Sequence, residues 1–288
     1  MRKGLGWIVF LALLAAWMYP TGALGQGVID PRCTQPNEQA CVDWTNGLAI
    51  AIGTGAPATW AKSAAQKNIS ATRAARLDAS RNLLELVKGI NLTASTSVQG
   101  AMVGNDTIQS SIQGRLHGIR PVEKPRYFSD GSVQLKLEAR LREIIPEELY
   151  AAPQGPPQLL GAPTGSSAGS ALAGGSAYTG LIINAQGTDV RPAMSPKVFD
   201  EQGREVYGSA YVSREFALSQ GMVGYVKSVE AASQTDRVKG NPALIRALKS
   251  SGANQADLVI SQADADALRT MSQQQTFMRE ARVMIVLD

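Results

Sequence analysis

A stretch dominated by proline, glycine, serine and alanine, APQGPPQLLGAPTGSSAGSALAGGS at residues 152–176, limits how the rest of the chain can fold. Its few apolar side chains recur at no regular period, so neither a helix nor a strand could bury one face of it. Such a composition is typical of a flexible or partly extended linker. The sequence therefore predicts two folded domains, at residues 47–150 and 178–288, joined by a linker at residues 151–177. The 288 residues are enough for domains with real cores.

Residues 1–25 predict a secretory signal peptide. Arg2 and Lys3 precede an uncharged apolar run, and the small residues ALG at 23–25 offer a cleavage site before Gln26. The run is too short to be the first choice for a membrane span, which needs roughly 20 apolar residues. An uncleaved anchor is the alternative, and a lipoprotein is disfavoured because no cysteine stands at the cut. We expect a soluble mature chain, periplasmic or secreted, without an integral membrane span.

The two cysteines of the chain, Cys33 and Cys41, lie just after the predicted cut, within a segment at residues 26–46. In an oxidising compartment, an even number of nearby cysteines favours a local disulfide. Two free thiols are the alternative. Metal binding would need more ligands, and the CxxC spacing of a redox site is absent from the sequence.

The charge balance gives no reason to expect nucleic-acid binding. The formal net charge is +4 at pH 7, and Arg2 and Lys3 of the predicted signal peptide contribute two of these positive charges. The other basic residues form no run along the sequence, whereas nucleic-acid-binding domains usually have a basic patch or stripe.

Residues 47–150 predict an α+β module in which one long helix covers an antiparallel sheet. A short strand at residues 47–57 is followed by a helix with Thr59 as its N-cap and Gly89 as its stop. Small residues share one face of this helix, with Ile69 and Val87 at its flanks. The members of this face are Ala61, Ala65, Thr72, Ala75, Ala79, Leu83 and Leu86. Such a face would let the helix lie close against a sheet.

Three further segments of the module have strand character. They are LTASTSVQG at residues 92–100, IQSSIQGRLHGIR at residues 108–120, and VEKPRYFSDGSVQLKLEARL at residues 122–141. In the last of them Ser129-Asp130-Gly131 predicts a hairpin turn. Val133, Leu135, Leu137 and Ala139 then alternate with polar residues, which predicts a strand with one wet face.

The order GLAIAIGTGAP, ATRAARLDASRNLLELVKGINL and IQGRLHGIRPVEKPRYFSDGSVQLKLEARL resembles the bacterial twenty-kilodalton lipoprotein family, a module also found as the N-terminal domain of flagellar assembly protein T. The resemblance covers about residues 47–141. It rests on a turn at Gly53 and Gly55, on Asp78, Ala79 and Arg81 of the helix, and on the Asp130-Gly131 hairpin. It implies an exported envelope protein without known catalysis, whose partners are envelope or basal-body proteins or further copies of itself. The lipid-accepting cysteine is missing, and the C-terminal half is too short for the further domains of the flagellar protein.

Two motifs match enzyme signatures but lack the context that those signatures need. GTGAPA at residues 53–58 fits the dinucleotide pattern G-x-G-x-x-A, yet the acidic Asp78 falls inside the long helix instead of ending a second strand. We therefore expect a structural turn there. GSSAG at residues 165–169 places Ser167 in the linker, without the strand and helix that make a nucleophile elbow.

Isolated polar residues point to no cofactor and no metal. His117 is the one histidine, and a lone histidine in a candidate strand or turn is more often a bystander than a catalytic base. Asp264 and Asp266 resemble the start of a calcium loop but lack its glycine and its distal glutamate. We interpret them as the first turn of a helix, where carboxylates favour the helix dipole.

The C-terminal half predicts a second small domain, α+β or α/β, of unknown function. TGLIINAQG at residues 179–187 predicts a buried strand, and Asp200 to Gly203 a turn between two short strands. NPALIRALKSSG at residues 241–252 predicts a short helix. Residues 256–271 predict a strand and then a helix, and the apolar run at 283–287 an interior strand.

Two hypotheses of function follow. The preferred one is an exported, non-enzymatic envelope protein with a structural or assembly role, for which the flagellar basal body is one candidate location. The alternative is a periplasmic ligand-binding protein or hydrolase with a site between the two domains, in which His117 would act with carboxylates of the C-terminal half.

Overall fold

The computed structural model describes Cys33, residues 39–149, Leu172 and residues 177–288. The predicted signal peptide and most of the predicted linker, including GSSAG, lie outside these residues. The described chain forms a mixed α and β structure with one four-stranded and one seven-stranded sheet. The α+β class and the long helix on an antiparallel sheet are therefore confirmed.

The N-terminal domain is built on an antiparallel sheet of order β1-β2-β4-β3. Its elements are β1 (Ala40–Asp43), β2 (Leu48–Gly55), α1 (Ala64–Lys88), α2 (Val98–Met102), α3 (Asp106–His117), β3 (Arg126–Tyr127), β4 (Val133–Arg140), α4 (Leu141–Ile144) and a 3-10 turn at Glu147–Leu149. Helix α1 lies across β2 and β4. On β4, Val133, Leu135 and Leu137 face the core, as their alternation predicted.

Helix α1 approaches β2 so closely that only glycine fits beneath it. A Cβ atom on Gly53 would lie 2.1 Å from the backbone nitrogen of Ala79, and one on Gly55 would lie 2.2 Å from that of Ala75. Both glycines are in the strand itself. The turn expected at these glycines is therefore wrong, because their role is to leave room for the helix backbone.

The small-residue face of α1 is confirmed in part. Of the predicted members, Ala75, Ala79 and Leu83 are buried in the helix and Ala65 is exposed. Ala71 and Val87 complete the buried face, whereas Ile69 is exposed. The helix ends at Gly89 as predicted. It begins later than Thr59, because Ser63 and Gln66 form a capping box in which each side chain accepts the other's backbone N–H, at 3.1 Å and 3.2 Å.

Two segments that predicted strands, at residues 92–100 and 108–120, contain helices and no strand element. Residues 98–102 form α2, and residues 106–117 form α3, whose N-cap Asn105 accepts the backbone N–H of Ile108 at 3.1 Å. Ile108, Ile112 and Leu116 are spaced by four residues and turn toward the core. This helical period outweighs the strand propensity of the isoleucines.

The C-terminal domain is built on a mixed sheet of order β7-β6-β10-β9-β5-β11-β8. Its elements are β5 (Gly180–Asn184), β6 (Val198–Phe199), β7 (Glu205–Tyr207), a 3-10 turn at Ser209–Tyr211, α5 (Arg214–Gln220), β8 (Gly224–Val226), α6 (Val229–Gln234), β9 (Pro242–Ser251), β10 (Asp257–Ile260), α7 (Gln262–Ser272) and β11 (Val283–Val286). Strands β5 and β11 are interior and buried along most of their length, as predicted. The turn between β6 and β7, and the strand and helix β10 and α7, also match the sequence predictions.

The helix predicted at residues 241–252 is wrong, since this segment is the long strand β9. Ala243, Ile245 and Ala247 are buried, while Leu244 and Leu248 on the opposite face are 45% and 53% exposed. This is a period of two residues. The helix propensity of alanine and leucine yields to pairing with β5 on one side and β10 on the other.

The two domains pack directly against each other. Backbone N–H groups of Ser195 and Asn254 donate to the carbonyls of Leu92 and Ala94, at 2.9 Å and 2.7 Å. Gly252 has a positive φ of +83°, and a Cβ there would lie 2.4 Å from the Cβ of Ala94. The close contact places the β1–β2 turn and the end of β4 against the C-terminal domain.

Candidate functional site

A cavity of about 510 Å³ lies between the two domains. It is lined by residues 44–47 and 140–142 of the N-terminal domain, and by residues 193–194, 219–223, 234–237 and Met284 of the C-terminal domain. This volume is within the range of roughly 300–1,000 Å³ usual for small-molecule sites.

Trp44 forms the N-terminal wall of the cavity, because the turn from β1 to β2 carries it against the second domain. Its ring meets the ring of Tyr225 edge-on, with the centroids 5.5 Å apart. Trp44 is 7% exposed, and its indole Nε1–H has no acceptor among the described residues. A buried donor without a partner is uncommon in folded proteins.

Tyr225 of β8 fixes the position of this wall. Its hydroxyl donates to the carbonyl of Ala193 and accepts the N–H of the same residue, both at 3.0 Å. Burial raises the pKa of this hydroxyl, so it remains a neutral donor and acceptor. The Thr45 hydroxyl donates to the Tyr225 carbonyl at 2.7 Å, which ties the β1–β2 turn to the C-terminal domain.

Two arginines, one from each domain, hold the end of α5 that borders the cavity. Arg237 donates to the carbonyls of Gly221 at 3.2 Å and Gln220, and Arg142 donates to the carbonyl of Ser219. Positive charge favours the carbonyl end of a helix. Burial lowers the pKa of Arg237, which nevertheless remains protonated because free arginine titrates so high. Both guanidinium groups bind carbonyls, so their charge is not cancelled by a carboxylate there.

A second polar cluster lies at the α7 side of the C-terminal domain, where Asp200, Asp266 and Arg269 are buried and Arg204 is partly exposed. Arg269 donates to Asp200 at 2.7 Å and to Asp266 at 3.1 Å, and Arg204 also donates to Asp200 at 2.7 Å. Burial opposes the charge on Asp200, but hydrogen bonds from Arg204 and Arg269 prevail and lower its pKa. The cluster satisfies its own charges, and this marks it as structural.

Three aromatic rings are exposed at one end of the N-terminal sheet, and we call this surface the aromatic edge. Trp60, Tyr127 and Phe128 are 66%, 59% and 45% exposed. The loop that carries Trp60 lies beside the β3–β4 hairpin, where a Cβ on Gly131 would be 3.1 Å from Cγ of Pro57. Tyr127 is on β3, the edge strand of the sheet.

The structure does not bring together the residues that resembled parts of enzyme or metal sites in the sequence. His117 is an exposed residue of α3 whose Nδ1 lies 2.7 Å from the carbonyl of Gln113, and it does not line the cavity between the domains. The space over Gly53 and Gly55 holds the backbone of α1, so a dinucleotide has no room there. Asp264 lies in the first turn of α7, as predicted, and Asp266 follows it in the same helix.

The predicted Cys33–Cys41 disulfide is present, with the two Cα atoms 5.8 Å apart. Across the part of the chain that the structure describes, no three His, Cys, Asp or Glu side chains are arranged to hold a metal ion. Among the same residues, none of the helices combines the length and the hydropathy that a membrane span requires.

The sequence did not predict that Trp44, Arg142 and Arg237 line the same cavity. A tryptophan just before a predicted strand was a usable signal, since large aromatic side chains are highly buried on average. No pattern links Arg142 to Arg237, because they are brought together only when the domains pack.

The comparison with protein families concerns the C-terminal domain. Residues 180–288 match a family described as Treponema pallidum Tp0624, second domain. The matched segment begins at the first residue of β5 and runs through β11 to Asp288. No curated protein matches the chain.

Proposed function

We propose that the protein is an exported, non-enzymatic component of the bacterial cell envelope, with a structural or assembly role carried out through the aromatic edge. The flagellar basal body is one candidate location, on the strength of the N-terminal resemblance alone. The observation that carries the proposal is the exposure of Trp60, Tyr127 and Phe128 near one end of the N-terminal sheet.

Exposed aromatic rings in a group are the residues that dominate protein–protein binding. Trp and Tyr are enriched among the few side chains that supply most of the binding free energy. Here Arg126 lies beside Tyr127 on the same exposed strand, and arginine is the third residue enriched in this way. Strand β3 is also an edge strand, which leaves backbone groups open to a partner.

The disulfide supports an extracytoplasmic location. Cys33 and Cys41 are joined across a short loop just after the predicted cleavage site. Disulfides persist in oxidising compartments such as the periplasm and are rare in the cytosol. The partner is therefore expected in the envelope or at the cell surface.

Photo-crosslinking in cells tests the proposal. Benzoylphenylalanine placed at position 127 should capture one discrete envelope protein, or a second copy of this chain, after irradiation. The matched control is the same residue at position 77, because Leu77 is also 66% exposed but lies on the outer side of α1. Identical patterns at both positions, or no product at position 127, would contradict the proposal.

A triple substitution of Trp60, Tyr127 and Phe128 by alanine sharpens the test. We expect recovery of the captured partner to fall by at least about tenfold, since truncation of such residues commonly costs more than 1 kcal/mol each. Thermal stability should change little because all three rings are exposed. A large loss of stability would instead show that these rings belong to the fold.

A further inference from the structure

One face of the C-terminal sheet is covered by a helix over one half and open to solvent over the other. Helix α6 packs on β5, β11 and β8, where Ile182 and Met284 are buried. Ile182 is the register partner of Leu244 on β9, so both side chains point to the same face of the sheet. Leu244 is nevertheless 45% exposed, and Leu248 further along β9 is 53% exposed. Large apolar side chains therefore lie in solvent beside a covered core.

The apolar surface continues from β9 across β10 to β6. Lys249 of β9 pairs with Val259 of β10, which pairs with Phe199 of β6, so these side chains share one face. Together with Leu248 they border a groove of about 550 Å³. We call Leu244, Leu248, Val259 and Phe199 the open sheet face. Contiguous apolar surface of this kind on a soluble domain commonly marks an interaction site.

Two exposed charges of opposite sign flank the open sheet face. Arg246 lies on β9, where the alternation of buried and exposed residues turns it to the same side as the two leucines. Glu201 is two residues beyond Phe199 and borders the groove. Its Oε2 accepts the backbone N–H of Gln262 at 2.9 Å, which holds it beside the sheet. The face is therefore basic on the β9 side and acidic on the β6 side.

The strand order makes this charge pattern complementary to itself. Strand β10 lies between β9 and β6, antiparallel to the first and parallel to the second. Continuing the two registers places both Arg246 and Glu201 beside Ser261, on opposite sides of β10. A twofold axis parallel to β10 exchanges the two sides. In a symmetric pair it sets Arg246 of each copy against Glu201 of the other, and Leu248 against Phe199.

We propose that the open sheet face binds a second copy of this chain in a twofold symmetric dimer, with the two sheets stacked about 10 Å apart. Arg246 of each protomer pairs with Glu201 of the other at the rim of the apolar contact. An acidic peptide or an anionic lipid surface would suit Arg246 and Lys249, but Glu201 would repel it. This surface is separate from the aromatic edge, and the dimer does not depend on the function proposed above.

Sedimentation velocity of residues 26–288 tests the association directly. Between about 5 and 200 µM protein, we expect a reversible dimer with a Kd below about 100 µM. Leu248→Gln should weaken it at least about tenfold, because each copy loses an apolar contact. Leu77→Gln is the matched control, since Leu77 is 66% exposed on the outer side of α1 and should leave the dimer unchanged. A wild-type chain that stays monomeric at the highest concentration overturns the proposal.

Exchange of the two charges tests the geometry of the dimer. Arg246→Glu and Glu201→Arg should each weaken association at least about tenfold, because like charges then face each other. Both residues are exposed, so both variants should fold, and thermal unfolding checks this. The double variant should return to within about threefold of the wild-type Kd, and an equal mixture of the two single variants should associate. Failure of both rescues would overturn the pairing.

The aromatic edge provides the last control. The triple alanine variant of Trp60, Tyr127 and Phe128 should dimerise like the wild type, because its substitutions lie in the N-terminal domain. If that variant is monomeric while Leu248→Gln still dimerises, self-association belongs to the aromatic edge and the proposal fails.

Discussion

The two domains bury a helix against a sheet in different ways. Helix α1 has 25 residues and buries one narrow face of small side chains. Helix α7 has 11 residues and buries seven of them, among them Asp266 and Arg269. A helix covered on one side needs only a close fit, whereas a helix covered nearly all round must also satisfy its charges inside the protein.

This contrast separates two sources of stability. At α1 the contact depends on the absence of side-chain atoms at Gly53 and Gly55. At α7 it depends on the presence of Arg269, whose side chain joins two carboxylates that have almost no solvent access. Adding an atom should therefore damage the first contact, and removing a charge should damage the second.

Removal of the α7 charge is expected to have the largest effect. Arg269→Met leaves Asp200 and Asp266 without their shared partner, and breaking a buried ion pair costs about 3–5 kcal/mol. Urea denaturation measures the change in the free energy of unfolding. In the control, Arg81→Gln breaks an exposed 3.9 Å pair with Asp78 and should cost less than about 1 kcal/mol. Equal losses in the two variants would refute the distinction between buried and exposed pairs here.

Addition of one methyl group at the α1 contact is expected to have the next largest effect on the free energy of unfolding. Gly53→Ala would place Cβ 2.1 Å from a helix backbone nitrogen, so α1 must move away, at a cost of about 3 kcal/mol. Gly114→Ala is the matched control, because nothing lies within 4 Å of its Cβ position in α3. That variant should gain about 0.5–1 kcal/mol from helix propensity. If thermal denaturation gives the same stability change for both variants, the close approach of α1 to β2 does not require glycine at position 53.

Acid should weaken the α7 cluster, in which the buried Asp200 carboxylate pairs with Arg204 and Arg269. The pKa of Asp200 is lower in the folded chain, so its contribution is complete above the unfolded value and is lost as the pH falls through the folded value. We expect wild-type stability to decline below about pH 4. In Asp200→Asn this part of the decline should be absent, although the variant is less stable at pH 7. An identical slope in both proteins would assign the acid sensitivity to other carboxylates.

The smallest effect is expected at the helix caps. Ser261 accepts the backbone N–H of Asp264 at 3.1 Å and donates to its carboxylate at 2.8 Å, in a partly buried position. Ser63 caps α1 at the surface. Ser261→Ala should cost about 1–2 kcal/mol and Ser63→Ala about 0.5–1 kcal/mol. A larger loss at Ser63, measured by urea denaturation, would reverse the order that burial predicts.

Much of the fold could be predicted where a pattern is local and repeated. The alternation of Val133, Leu135 and Leu137 identified a strand with one wet face, and the apolar run that contains β11 identified an interior strand. The pattern failed at β9 and α3. In both segments the few apolar side chains are compatible with a helical period and with a strand period. Packing against residues far away in the sequence determines which structure forms.

Much less of the candidate site could be predicted. Cys33 and Cys41 were found because their spacing and the expected compartment were sufficient. The contact of Trp44 with Tyr225 could not be predicted, because the two residues are far apart in the sequence. The hydrogen bond that fixes this contact joins Thr45 to Tyr225, which are 180 residues apart.

The sequence by itself determined the α+β class, the hairpin turns, the local disulfide and part of the small-residue face of α1. These features depend on residues close together in the chain, whose spacing is visible in the order of amino acids. Only the tertiary structure decided that Gly53 and Gly55 make room for a helix, that Arg269 joins Asp200 to Asp266, and that a cavity lies between the domains. Each of these depends on the distance between atoms from remote segments, which packing alone sets.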